Sequence, residues 1–449
     1  VKLFGLISKK HVCACLQVPV NGGEKTKLIL YCIIGWLLVS CTVGEDTDDW
    51  PMFMHDPQHT GYSTSSVPVC PEKVWKYSKY PDSQDHDHFV DLIVSEGMLI
   101  AVQQNSSVFA LDTEDGSLLW ETSDNNISLH TPAAAQGRIY VGMYEGILCL
   151  DIYTGEILWK YEDRHVRFLS DPIVIGEYIV IGSWDALFDY FGPDQDTIVT
   201  EAKRKMRRVL CLNTQTGDVV WEFYAQGTIG EISPTYLDGK IYVNDLGGRL
   251  YCLNAATGEV IWENDMEGSS GSSLSLNEER IFVGTRKGVL NCHSRKTGEI
   301  LWKFACGEKI SATPALAYDR VFIGSQNGIF YCLDDQTGEL IWNVETGSKI
   351  YSTDFLADKK LGFVTEDMNL YILDAFSGEV IYRHRLKDDI FSLVLSDGRL
   401  FLGESNGGIT CFQQGSCSRG LIQAALIIVI AGSCVAWNWY RRVKKKKEI

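Results

Sequence analysis

At 449 residues and 45% hydrophobic content, the chain is long enough to bury a large core. Its net charge of −17 at pH 7 excludes a general nucleic-acid binder, which needs a basic face to neutralise phosphates. The fourteen cysteines contain no CxxC and no zinc-finger spacing, so neither a redox dithiol nor a zinc ribbon is indicated.

The first element is an apolar run, LILYCIIGWLLVSC at residues 28–41, behind Lys25 and Lys27. It is short for a membrane span and has the length of a signal-peptide core, so residues 1–41 are expected to be a leader. The run ends in Leu38-Val39-Ser40-Cys41, a pattern that resembles a bacterial lipobox with Cys41 as the lipidated residue. Plain signal cleavage is the alternative. Residues 42–72 form an entry segment that includes WPMFMHDPQHTGYS at 50–63.

Residues 73–413 are a repeat array. TGEILWK occurs at 154–160 and again at 297–303. Around it runs a glycine column (Gly116, Gly155, Gly217, Gly258, Gly298, Gly338, Gly378), each followed four residues later by Trp120, Trp159, Trp221, Trp262, Trp302, Trp342 or Tyr382. From Trp221 onward the steps are 41, 40, 40 and 40 residues, a period that means stacked supersecondary units. In the unit 311–350, the runs ALA, RVFIG, IFYCLD and ELIWNV are rich in β-formers and separated by turn residues such as Asn327-Gly328 and Thr337-Gly338. Four short antiparallel strands in about forty residues is the signature of a propeller blade.

Eight third strands can be read: VFALD, ILCLD, VLCLN, LYCLN, VLNCHS, FYCLD, LYILD and ITCF. The eighth unit has no fourth strand, but KVWKY, with Trp75, stands before the first unit and supplies one. The expected fold is therefore an all-β, eight-bladed propeller whose N-terminal strand closes the last blade and removes an open edge. Trp75, Trp120, Trp159, Trp221, Trp262, Trp302 and Trp342 are expected to pack between blades. Cys149, Cys211, Cys252, Cys292, Cys332 and Cys411 share one strand position and read as small buried residues. Cys70, Cys306 and Cys417 lie outside that column. A further column, Asp91, Thr131, Asp171, Ser233, Ser273, Thr313, Thr353 and Ser392, begins each innermost strand and is expected to cap backbone groups around the channel.

The period breaks between Trp159 and Trp221, where residues are inserted between the second and third strands of one unit. The insertion joins Trp184, Phe188, Tyr190 and Phe191 to Arg204, Arg207 and Arg208, and aromatics with arginine are favoured interface anchors. A partner protein of unknown identity is expected to dock there; a solvated loop is the alternative. On the same face, Asp85, His86, Asp87 and His88 have residue types that can ligate a metal ion.

Beyond a linker at 414–419, residues 420–440 begin with twenty uncharged residues and end at Trp437, Trp439 and Tyr440, followed by the basic tail RRVKKKKEI at 441–449. This pattern predicts a transmembrane helix with a cytoplasmic tail, placing the propeller outside a cytoplasmic membrane as a single-pass protein.

The phrase LYCLNAATGEVIWE at 250–263 resembles the repeat of the PQQ-like β-propellers, which include quinoprotein alcohol dehydrogenases and BamB-type assembly lipoproteins. The resemblance spans about residues 50–413. Its dehydrogenase branch implies pyrroloquinoline quinone with calcium on the axis, a catalytic aspartate and two adjacent disulfide-bonded cysteines. No adjacent Cys-Cys pair occurs here, and HExxH and phosphate-loop patterns are absent as well. The expectation is a membrane-anchored, extracytoplasmic, non-enzymatic scaffold without a cofactor. A quinoprotein dehydrogenase and a sensor ectodomain are the alternatives.

Overall fold

The computed structural model describes residues 49–79, 89–103, 106–128, 130–163, 170–183, 207–229 and 232–416. All of them belong to one compact unit, Asp48–Ile449. They form eight sheets, each a blade of four antiparallel strands in sequence order from the axis outward. Blade 1 is Val90–Ser95, Met98–Gln103, Ser107–Asp112 and Leu118–Ser123. Blade 6 is Ala315–Ala317, Arg320–Gly324, Ile329–Asp334 and Leu340–Glu345.

Two blades depart from the pattern. In blade 8 the outer strand is Pro71–Ser78, paired antiparallel with Gly408–Gln414 and centred on Trp75 opposite Cys411. The chain thus closes its own ring, as the ragged ends of the repeat require. Blade 7 has a fifth, innermost strand, Tyr62–Ser63, running parallel to Phe355–Ala357. The repeat gives no sign of that strand.

Middle strands such as Phe330–Leu333 are buried on both sides because each blade is sandwiched between two others, whereas outer strands alternate half-buried and exposed positions. The six column cysteines are buried free thiols. Cys306 is also a free thiol, and Cys70 is disulfide-bonded.

The glycine–tryptophan phrase is the seam between blades. Gly298 has φ of +75°, and a Cβ there would lie 2.5 Å from the Trp262 ring of the preceding blade. Only glycine combines that left-handed turn with an indole lying flat on it. The indole Nε1 of Trp120 donates to Ile152 O at 2.8 Å in the next blade, and Trp159, Trp221, Trp302 and Trp342 bond across their seams likewise. Trp75 repeats the contact on Gly116 and Thr113 of blade 1. Tyr382 stands at the one seam whose facing blade, blade 8, has no hairpin between its third and outer strands, so no turn glycine is present to seat an indole.

The expected membrane helix requires correction. The described chain is built from strands of two to eight residues, and among the described residues no helix is long and apolar enough to cross a membrane. Residues 420–440 themselves, like the 441–449 tail, lie outside the described residues. The single-pass topology, the membrane as partner and the assignment to a cytoplasmic membrane are accordingly not carried forward.

Candidate functional site

The inner strands surround a cavity of about 830 Å³ on the propeller axis. Near its mouth lies the column of small polar residues, and over most of the ring these residues bond from blade to blade. Leu92 N reaches Ser392 Oγ at 3.3 Å, and the Thr131 hydroxyl donates to Asp91 Oδ2 at 2.8 Å. Thr131 N donates to Asp171 Oδ1 at 2.8 Å, the Ser233 hydroxyl to Asp171 Oδ2 at 2.7 Å, and Ser233 N to Ser273 Oγ at 3.0 Å. Residues read as backbone caps therefore also stitch neighbouring blades together. Burial raises the Asp91 carboxyl to about 6, with the nearby Asp171 charge adding to the shift, and burial alone raises Asp171 to about 6.

The other end of the cavity is floored by the entry segment. Trp50 bridges Val94 of blade 1, and Pro51 O accepts from Ala134 N of blade 2 at 2.8 Å. Met52 packs into the apolar cluster around Ile173 and Val174 of blade 3. The carbonyls of Pro57, Gln58, Thr60 and Gly61 then accept from Tyr236, Leu276, Leu316 and Leu356 of blades 4 to 7 in turn. Ser65 Oγ finally accepts from Gly398 N of blade 8 at 2.9 Å. The segment makes one full circuit and turns the channel into a cup. Within it His59 is fully buried, bonded through Nδ1 to Leu274 O at 3.0 Å, and burial lowers its pKa to about 4, which keeps it neutral.

The cup opens on the face of the links between blades, where the insertion in blade 3 also begins and ends. Trp184, Phe188, Tyr190, Phe191 and Arg204 lie outside the described residues, as do Asp85, His86, Asp87, His88, Cys41 and Cys417. Of the predicted anchors, Arg207 donates to Gln226 O at 2.7 Å. Arg208 is only 5% exposed and is held between Asp163 and Glu222. It pins the end of the insertion to the scaffold and is not itself displayed.

Other chemistry-bearing residues escaped the sequence reading. Asp354, one position past the column, lines the cup; it sits deep among protein atoms yet keeps surface toward the cavity, and burial raises it to about 6. Arg286 and Lys309 stand on the loops of blades 5 and 6 at the mouth. Gly403-Glu404-Ser405-Asn406-Gly407 has the spacing of a hydrolase nucleophile elbow. Here it is the hairpin between Arg399–Glu404 and Gly408–Gln414, with Ser405 buried, and not the strand-to-helix turn which that chemistry needs.

A calcium–quinone pair fits these residues poorly. Calcium takes about six to eight oxygen ligands. Both Asp171 oxygens already accept from blades 2 and 4, and Asp91 accepts from Thr131 and from Leu92 N. Among the described residues no three His, Cys, Asp or Glu side chains gather closely enough to hold a metal ion.

The family model described as "Outer membrane protein assembly factor BamB" matches residues 72–187, 205–290, 247–357 and 286–418. The BamB of Yersinia pestis is 27% identical over 110 residues, 24% of this chain and 28% of that protein. The quinohemoprotein alcohol dehydrogenase ADH-IIG of Pseudomonas putida is 27% identical over 183 residues, 35% of this chain and 23% of the enzyme. The aligned stretches thus span about a quarter of either relative. In three dimensions the BamB of Moraxella catarrhalis superposes with a TM-score of 0.59 at 17% identity, covering 76% of this chain and 99% of the other, a likeness of fold alone.

Proposed function

The chain belongs to the PQQ-repeat, BamB-type β-propeller family, and from that premise we propose that it acts as a non-enzymatic protein-binding or assembly scaffold. The observation that carries the reading is where the axial carboxylates are spent. Asp91 and Asp171, two of the three aspartates that line the cup beside Asp354, accept hydrogen bonds from neighbouring blades and hold the ring together. The docking element is the blade 3 insertion, with Trp184, Phe188, Tyr190, Phe191 and Arg204 as its anchors. It springs from a strand end that Arg208 fixes by two carboxylates, and recognition residues work best on loops carried by a rigid frame.

Two measurements test this. A photo-crosslinking residue placed at Tyr190 should yield one defined protein adduct. The same residue at Tyr153, 58% exposed on the opposite face, should yield none. Equal adduct patterns at both positions would refute a specific docking face. Titration with pyrroloquinoline quinone and calcium is the second. Saturable one-to-one binding would replace the scaffold reading with that of a quinoprotein enzyme, the activity named for the Pseudomonas putida relative.

A further inference from the structure

The ring of blade-to-blade bonds runs from Ser392 through Asp91, Thr131, Asp171 and Ser233 to Ser273, and there it stops. Thr313 and Thr353 of blades 6 and 7 take no part in it. The Thr353 hydroxyl is the sharper case. The residue is 1% exposed, lines the cup, and has no hydrogen-bond partner for Oγ1 among the described residues. A buried hydroxyl without a partner is a standing cost, unlike the hydroxyls of Thr131 and Ser233 in blades 2 and 4, which donate to Asp91 and Asp171.

The same arc concentrates the cup's other recognition groups. Lys309 lines the mouth from blade 6, and its ammonium has no hydrogen bond or ion pair among the described residues. Next to it, Arg286 of blade 5 is exposed and, among the described residues, bonded only through Nε, to Ser270 O at 3.1 Å, which leaves its fork unengaged there. Asp354 follows Thr353 directly. Its carboxylate accepts from Val364 N at 3.0 Å and from the Ser352 hydroxyl, and the residue keeps surface toward the cavity. Tyr351 and Phe391 are 43% and 46% exposed and line the same side. The Tyr351 hydroxyl donates to Glu366 and Lys349 lies over one face of its ring, while Phe391 is tilted against Phe89. On the opposite side, Asp91 and Asp171 are already satisfied by their neighbours. The cup therefore has a spent half and a receptive half.

We infer that the receptive half, on blades 5 to 8, is a binding site for an anionic sugar. Each element answers one part of such a ligand. Arg286 and Lys309 supply charge-assisted donors to a carboxylate or phosphate. The Asp354 carboxylate accepts from ring hydroxyls, and Thr353 gains the partner it lacks. The aromatic faces of Tyr351 and Phe391 cover the apolar C–H face of a pyranose. The volume of about 830 Å³ lies in the ordinary range for small-molecule sites and accommodates one or two sugar rings. The inference does not depend on the scaffold reading, because the arc is separate from the blade 3 insertion.

The test is calorimetric titration of the full-length chain with glucuronate and glucose 6-phosphate, with glucose and acetate as controls. At least one anionic sugar should bind saturably one to one, about tenfold more tightly than glucose or acetate, the size of one charge-assisted bond. An oligomer of glucuronate run alongside distinguishes a free sugar from the end of a polymer by which binds more tightly. Arg286→Ala with Lys309→Ala should abolish the preference for the anion. Thr353→Val, nearly isosteric, should weaken binding about three- to tenfold while leaving the unfolding midpoint unchanged or raised. Absence of saturable binding by either anionic sugar overturns the inference, as does equal binding of glucose or binding that survives the double substitution in a chain that still unfolds cooperatively.

Discussion

At the outer seams the same pair of residues recurs: an indole on a left-handed glycine, as with Trp262 on Gly298 and Trp302 on Gly338. At the axis the joints differ from blade to blade. Thr131 bonds carboxylates on both sides, Ser233 bonds one, and Thr353 bonds none among the described residues. A seam that repeats has one task, to set the spacing and angle between blades. An axis that varies is where a ring of equivalent units acquires direction, and there binding groups can be distributed unevenly without loosening the fold.

If the seams carry the stability, the most damaging substitution should lie on one. Gly298→Val combines a left-handed β-branched residue with a collision against the Trp262 ring and is expected to cost about 4 kcal/mol, read as a shift in urea midpoint. Next come the indoles. Trp302→Ala and Trp75→Ala should each lose about 3 kcal/mol, since both rings are only partly buried. The two should differ in a second readout. Trp75 lies on the strand that closes the ring, so limited proteolysis should release Pro71–Ser78 in that variant and leave it protected in Trp302→Ala.

The axis is better probed by pH. Asp91 and Asp171 titrate near 6 in the folded chain against an ordinary value near 3.8, so between these values the folded state binds more protons than the unfolded one. Their contribution is greatest below about pH 4 and falls as pH rises through about 6. Comparison with the double Asp91→Asn, Asp171→Asn variant should show wild type losing relative stability, on the order of 2 kcal/mol for each carboxyl, from about pH 4 to about pH 7. A flat difference would mean that the ring does not hold its carboxyls as described.

Two milder changes sharpen the contrast. Gly97 has φ of +72° with nothing within 4 Å of a Cβ, so Gly97→Ala should cost only the backbone strain, about 1 kcal/mol. Its difference from Gly298→Ala measures the indole contact alone. Leu301, 51% exposed on an outer strand, should tolerate threonine within about 0.5 kcal/mol.

What could be read from the sequence follows the same division. The seam residues recur at a fixed period, so periodicity exposed them, and the lone Trp75 outside the array revealed how the ring closes. The floor of the cup gave no such signal: it is built by the backbone carbonyls of Pro51, Pro57, Gln58, Thr60 and Gly61, and a backbone acceptor leaves no mark in the residue alphabet. Asp354 lies one position off its column, and Arg286 and Lys309 stand on loops that differ from blade to blade, so column reading passed over them. Arg208 was placed among displayed anchors because a basic run does not show which of its members meets Asp163 and Glu222.

The circuit of residues 50–65 also bears on the order in which the molecule is made. Its contacts reach inner strands from blade 1 to blade 7, by hydrogen bonds at all but blade 3, and end at Gly398 in blade 8. A segment that leaves the ribosome early must therefore wait until nearly the whole ring exists before it can dock. Blades 1 to 7 can each form their four-stranded core from neighbours in sequence, quickly and locally, while this event, like the pairing of Pro71–Ser78 with Gly408–Gln414 that completes blade 8, brings together residues about three hundred or more positions apart and should be slow. Until it happens the cup has no floor, so an occupant that needs the closed cup would recognise only chains whose assembly is complete.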